Sequence, residues 1–333
     1  MLDLHRLRLL KEFADRGTIT ATAAALGYTP SAVSQQLAAL EREIGDALLD
    51  RAARSVELTD AGRRLAVHAE IILAQVEAAE ADLAAQAREP SGRVTVAAFP
   101  TAAVAFAPAL ARSLRAHPAL TMLLQQAAPT EEGLRRVRSG EADVALVDDW
   151  TEGGLSDQLH PMLRSFRLLR DPLVLIVPRS HPLADPATPV DLRKLCETSR
   201  WMAAPAGEPS RVAADRLLAA AGGAPAVPWE FEGLGAIIGL VGRGIGVAAV
   251  PRLAIAAGEG RVAVRELAGP VPTRAIFAVA RAASVRRPSV ALALSSLADG
   301  AASLAGRAAA GTGRARLSRR SGRDFPAGSD RLD

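Results

Sequence analysis

A chain of 333 residues is too long for one small domain and fits two or three. Hydrophobic residues make up 49% but aromatics only 3%, so a core must be filled by Leu, Val and Ala. The formal net charge of +4 equals the excess in residues 307–333, seven arginines against three aspartates, so bulk charge carries no argument for a polyanionic partner.

The N-terminus, Met1-Leu2-Asp3-Leu4-His5-Arg6, has no uninterrupted apolar stretch of the kind a secretion signal needs. Leu4, Leu7, Leu10, Phe13 and Ala14 share one helical face, and Gly17-Thr18 ends that helix and caps the next. Thr20–Leu26 reads as a short helix stopping at Gly27-Tyr28. A second opens at Thr29-Pro30-Ser31 and runs Ala-Val-Ser-Gln-Gln-Leu-Ala-Ala-Leu-Glu41 to Gly45. The second helix is polar on its exposed side, as a helix-turn-helix reading a DNA major groove must be. Leu48–Thr59 reads as a two-stranded wing, and Thr59-Asp60 caps a long helix reaching about Arg88. Within it Leu65, Ala69, Ile72, Val76, Ala79 and Leu83 alternate spacings of four and three, a heptad seam suited to pairing with a second copy.

Pro90-Ser91-Gly92 is a linker, after which strands and helices alternate. Strands are expected at Arg93–Phe99, Leu120–Ala127 and Ala142–Val147, with helices at Ala102–Ala116 and Thr130–Ser139 between them. Such a run implies a parallel sheet. Further strands are expected at Arg167–Arg170, Leu173–Val177, Trp201–Ala203, Val227–Glu232, Val247–Val250 and Arg274–Val279, with helices at Ser210–Ala221 and Gly235–Gly242. Leu234–Val250 is broken by Arg243 and by glycines and does not read as a membrane span. An Ala/Leu helix runs from about Ser284 to Leu304, and the Gly/Arg/Ser-rich residues 307–333 are expected to be disordered. The expected domains are a winged helix-turn-helix (1–59), a linker and dimerisation helix (60–89), an α/β domain of two Rossmann-like halves (90–306) and a basic tail (307–333).

An ordered set of residues in this chain resembles the LysR-type transcriptional regulators. The set is Leu10…Phe13, Gly17-Thr18, Ala23-Ala24…Leu26, Ala32-Val33-Ser34, Gln36-Leu37…Leu40-Glu41, Gly45, Arg51 and Leu58-Thr59…Ala61-Gly62, followed far downstream by Val241…Gly244-Ile-Gly246…Pro251. Leu49 stands where the family usually has Phe. The resemblance covers roughly residues 2–300 and implies a sequence-specific, ligand-responsive DNA-binding regulator. It also implies periplasmic-binding-protein-like halves, and assembly as dimers or tetramers that bend the promoter.

For contact with DNA the expected residues are Pro30, Ser31, Ser34 and Gln35 on the recognition helix and Arg51 and Arg54 in the wing. Thr29 and Ser31 also suit helix capping, and Arg51 also suits an ion pair with Glu41 or Asp50. The cleft between the halves is the expected effector site, with Pro100, Thr101, Thr130 and Ser210 at helix starts and Trp150 and Trp201 lining it. Helix-start hydroxyls and amides suit a carboxylate or other small anion. Leu65, Ile72, Val76 and Leu83 carry the dimer seam.

Other chemistry finds little support. His5, His68, His117, His160 and His181 have no metal-ligand spacing, and Gly242-Arg-Gly-Ile-Gly246 lacks the Lys-Ser/Thr of a phosphate loop. Cys196, alone in the chain, reads as a buried structural thiol of a reducing compartment. No enzyme activity, metal or cofactor is expected. The expected partners are promoter DNA, further copies of the chain and a small effector, with RNA polymerase as a further candidate, all in the cytoplasm. The alternative readings are an effector-independent architectural DNA-binding protein, or an enzyme with an appended DNA-targeting domain.

Overall fold

The computed structural model describes residues 1–51, 55–85, 89–151, 155, 159–257 and 260–317. Local signals set the first helices. Asp3 caps α1 (Leu4–Arg16) by accepting the His5 amide at 2.7 Å, and Gly17 ends it at φ +73°. Thr18 caps α2 (Ile19–Leu26). Thr29 caps α3 (Pro30–Ile44), whose first position is proline, as a helix start allows. Strands β1 (Leu49–Asp50) and β2 (Glu57–Leu58) form the wing, with Leu49 opposite Leu58. Thr59 caps the long α4 (Asp60–Ala84).

Leu9, Leu10, Phe13, Ala23, Val33, Leu37, Leu40, Leu48, Leu49 and Ala66 make one core for this unit. Leu49 fills its slot as well as an aromatic would need to, being almost fully buried. Gly62 is required by close approach: a Cβ there would lie 2.1 Å from the Leu48 carbonyl oxygen.

The second domain begins with β3 (Gly92–Ala98), α5 (Pro100–Ala116), β4 (Leu120–Gln126), α6 (Thr130–Arg138) and β5 (Val144–Asp149). β3 pairs parallel with both β4 and β5, as the alternating pattern predicts. The two strands expected at 167–177 are one 16-residue strand, β6 (Leu163–Pro178). Its first part pairs antiparallel with β11 (Thr273–Arg281), and its second part with β9 (Ala248–Pro251) and β10 (Val262–Arg265). Among the described residues the sheet has seven strands, ordered β10-β6-β11-β5-β3-β4 with β9 also on β6. It is mixed, because the chain returns from the second half by β11, laid antiparallel between β5 and β6.

The second half adds α7 (Leu192–Thr198), β7 (Met202–Ala203), α8 (Pro209–Ala220), β8 (Trp229–Glu230) and α9 (Leu234–Gly242). The last helix, α10 (Pro288–Leu317), runs past the expected end near Leu304 and into the segment expected to be disordered. Its alanine-rich sequence continues the helix to Leu317, and residues 318–333 lie outside the described residues. Pro288–Arg307 is long and apolar enough to cross a membrane by length and composition. Here it is a core helix: Val290, Ala293, Leu297 and Ala301 are buried against α5 and the sheet. Gly300 lets α10 approach Ala109 and Phe106 of α5 closely.

Candidate functional site

α3 seals Val33, Leu37 and Leu40 into the core and turns its other face outward. Pro30, Ser31 and Gln35 are exposed and Ser34 is half-buried beside them. Ser31 does not cap the helix; its hydroxyl lies 3.1 Å from that of Thr29, which does. Gln36, the next residue round, is held inside by Arg6, whose Nε donates to it at 3.0 Å. Gln35 has no such tie among the described residues, so its amide is free to pair with a base edge.

Arg51 is placed by Glu41 on the recognition helix. Glu41 Oε1 accepts the Leu48 and Leu49 amides at 3.0 and 2.9 Å, and its Oε2 accepts Arg51 Nη2 at 3.0 Å. One carboxylate therefore fixes the start of the wing to α3 and sets the direction of the wing arginine. Arg54 lies outside the described residues. Arg63 bonds the Leu58 carbonyl and Asp60, while Arg64 is exposed.

The expected dimer seam divides. α1 packs across the start of α4, so Leu65 joins the chain's own core and Ala69 is fully buried. Ile72 and Val76 are half-buried and Leu83 is 73% exposed. The apolar side chains left uncovered near the start of α4 are Val67 and Ile71, which lie well round the helix from the predicted stripe.

In the second domain, strand register assembles a charged network. Arg274 of β11 lies directly opposite Asp171 of β6, and its neighbour on the same face, Ile276, lies opposite Asp148 of β5. Arg274 therefore sits between two carboxylates. Its Nε donates to Asp171 at 2.9 Å, its Nη1 to Asp148 at 2.8 Å and its Nη2 to Thr101 Oγ1 at 3.2 Å. The guanidinium also stacks near the rings of Phe99 and Trp150, at 4.9 and 5.6 Å. Asp171 accepts the Leu253 amide at 2.7 Å, from the segment after β9. Burial pushes the Asp171 carboxyl up from its ordinary range, against the pull of Arg274 and the Leu253 amide.

Of the expected effector residues, Pro100 and Thr101 open α5, and Thr130 opens α6. Neither hydroxyl caps its helix: Thr101 accepts from Arg274, and Thr130 donates to the Asp148 carbonyl at 2.9 Å. Trp150 leaves β5 and packs against Ala213 and Leu217 of α8, bridging the two halves. Trp201 does not line the cleft. It is 2% exposed, packs among Leu175, Leu195 and Val247, and donates its Nε1 hydrogen to the Leu195 carbonyl. Large aromatic area near the sheet is better used in the core. Ser210 does not cap α8 either, because Pro209 takes the first position after Glu208, leaving Ser210 half-buried in the first turn.

Sequence reasoning missed Arg274, Asp148 and Asp171, whose meeting depends on pairing β6 with β11. The one local signal is that each is a charged residue within or at the end of an apolar strand stretch. The cation in this network is matched by two carboxylates, Asp148 and Asp171.

Comparison with known proteins agrees with this architecture. Residues 4–63 match the bacterial regulatory helix-turn-helix protein model of the lysR family, and residues 87–302 match the LysR substrate binding domain. An uncharacterised HTH-type transcriptional regulator, YfeR, of Shigella flexneri is 28% identical over 280 residues, covering 84% of this chain and 87% of that protein. A full-length OxyR variant from Pseudomonas aeruginosa superposes with a TM-score of 0.64 at 20% identity, over 90% of this chain and 98% of that one. Full-length CbnR complexed with its target DNA gives 0.50 at 22% identity, over 90% and 100%. The chain belongs to the LysR family of DNA-binding transcriptional regulators, with an N-terminal helix-turn-helix domain and a C-terminal effector-binding domain.

Proposed function

We propose that two copies pair through α4 and present two α3 helices to the half-sites of an inverted repeat. A small polar effector held between the halves of the second domain then alters how those helices are spaced. The observation that carries the DNA part is the division of α3, with its apolar face sealed and Pro30, Ser31, Ser34 and the uncommitted Gln35 amide outward. Gln35 reads adenine, and Arg51 and Arg54 bind phosphate or a narrow minor groove. Ile72, Val76 and Leu83 meet the second copy. The protein works in the cytoplasm, as a dimer or tetramer at promoters, with RNA polymerase as a partner there and no catalytic step of its own.

The effector part rests on the Arg274 network. It gathers Thr101 and Asp148 from the first half, Asp171 from the crossing strand and the Leu253 amide from the segment after β9. A ligand that competes for one of these bonds changes how the halves hold each other, provided it binds one arrangement better than the other. The expected site residues are Pro100, Thr101, Thr130, Trp150 and the first turn of α8 at Ser210. The test is titration of the full chain with amino acids, amines, di- and tricarboxylates and aromatic acids, reading thermal midpoint and the footprint on bound DNA. One class should shift both. If none shifts either, the effector part fails.

A further inference from the structure

We propose that the first half of the effector domain carries a polar clasp for the DNA-binding unit of its own chain, and that α6 and β11 form a strut joining this clasp to the Arg274 network. The two units share no hydrophobic cluster among the described residues. One core gathers residues from Leu9 to Ala66, and the neighbouring ones gather residues from Val94 onward. Side-chain hydrogen bonds and ion pairs link them.

On the α1 side, Lys11 is buried and donates from Nζ to the Arg138 carbonyl at 3.0 Å, at the C-terminal end of α6 where a cation is favoured. Arg16 pairs with Glu141, which Arg135 of α6 also grips at 2.8 Å. On the α4 side, Glu77 receives Arg281 Nε on both oxygens at 2.9 Å. Arg281 in turn donates to the Val137 and Ala142 carbonyls, locking the end of β11 to the end of α6. Glu70 faces His160 at 3.7 Å and Asp82 faces Arg286 at 3.2 Å.

The far ends of the same two elements lie at the Arg274 network. α6 begins at Thr130, bonded to Asp148, and ends at the carbonyl that Lys11 holds, eight residues and about 12 Å away. β11 begins near Arg274 and ends at Arg281, seven residues or about 23 Å along the strand. A rearrangement at Asp148 or Arg274 is thus delivered to α1 and α4 through rigid elements packed on one another. Partly exposed ion pairs are individually weak and screened by salt, which makes the clasp easy to release.

The regulatory meaning of this clasp rests on the function proposed above, but its test uses neither DNA nor effector, so the two readings fail independently. Hydrogen–deuterium exchange is measured on the full chain at low salt for the wild type, the R16Q/E77Q double variant, the E77Q single variant and T130V. Circular dichroism checks that each is folded. Should the double variant not fold, the same readings are taken on E77Q. The double variant should raise exchange about fivefold in residues 137–143 and the last turn of α1, leaving α8 and α9 unchanged, and high salt should reproduce this in the wild type. T130V should raise exchange at 148–150 and also at 137–143. Unchanged exchange in the double variant overturns the clasp. A T130V effect confined to 148–150 overturns the strut.

Discussion

Glu41→Ala should damage the reading head far more than Arg51→Ala, although the two side chains form one ion pair. The carboxylate accepts two backbone amides, those of Leu48 and Leu49, both of which belong to nearly buried residues. Hydrogen bonds to a charged group contribute about 1.5–3 kcal/mol each, so losing both costs about 3 kcal/mol even if water reaches one amide. Arg51 is half exposed, and deleting it removes a surface pair worth about 0.5 kcal/mol or less. Amide exchange across residues 46–51 of the full chain reads the difference directly. By these figures Glu41→Ala should speed exchange about a hundredfold and Arg51→Ala about twofold. Comparable exchange in the two variants would refute the claim that Glu41 anchors the wing through the backbone.

Three further perturbations follow from the same geometry. Gly62→Ala forces a Cβ onto the Leu48 carbonyl and should destabilise the reading head by about 1–3 kcal/mol, seen as a lower thermal midpoint and weaker DNA binding; an unchanged midpoint would remove the close-approach argument. Arg274→Ala strands the buried Asp171 and should cost about 3–5 kcal/mol of effector-domain stability in urea unfolding followed by tryptophan fluorescence. The double change Arg274→Met with Asp171→Leu should recover most of it. If the double variant were as unstable as the single one, the loss would not come from an uncompensated charge. Glu132 and Glu141 are both held down at about 2, chiefly by hydrogen bonds from Arg135. Their stabilising effect is complete above the ordinary value near 4.5 and is lost as pH falls from there toward 2, so carboxyl NMR titration should find both midpoints near 2. Midpoints near 4.5 would show that the pairs around the end of α6 do not form.

The parts of the fold that local chemistry controls were legible from the residues alone. Asp60 after Thr59, Gly17 before Thr18 and Pro30 after Thr29 place helix ends within a residue or two, because a cap needs only its own neighbours. The outward face of α3 was legible for the same reason. What the residues hid depends on distant pairing. Arg274 and Asp171 are about a hundred positions apart and meet only through the register of β11 on β6, including a bulge between Ile276 and Phe277. Leu65 fits the α4 heptad perfectly well, yet α1 covers it first. Trp201 opens an expected strand, and its inward turn shows only once the strand's bridge to Val247 is formed.

The central claim is that α3 selects sequence through its exposed polar face while the chain acts as a pair. Footprinting the wild type and Gln35→Ala on DNA enriched from a genomic library tests it most directly. The account predicts two protected half-sites related by a dyad, centred about ten base pairs or a multiple apart, with Gln35→Ala losing about 1–3 kcal/mol of discrimination at one base pair of each. Equal affinity for enriched and random DNA, or an identical footprint and affinity for the variant, would contradict it.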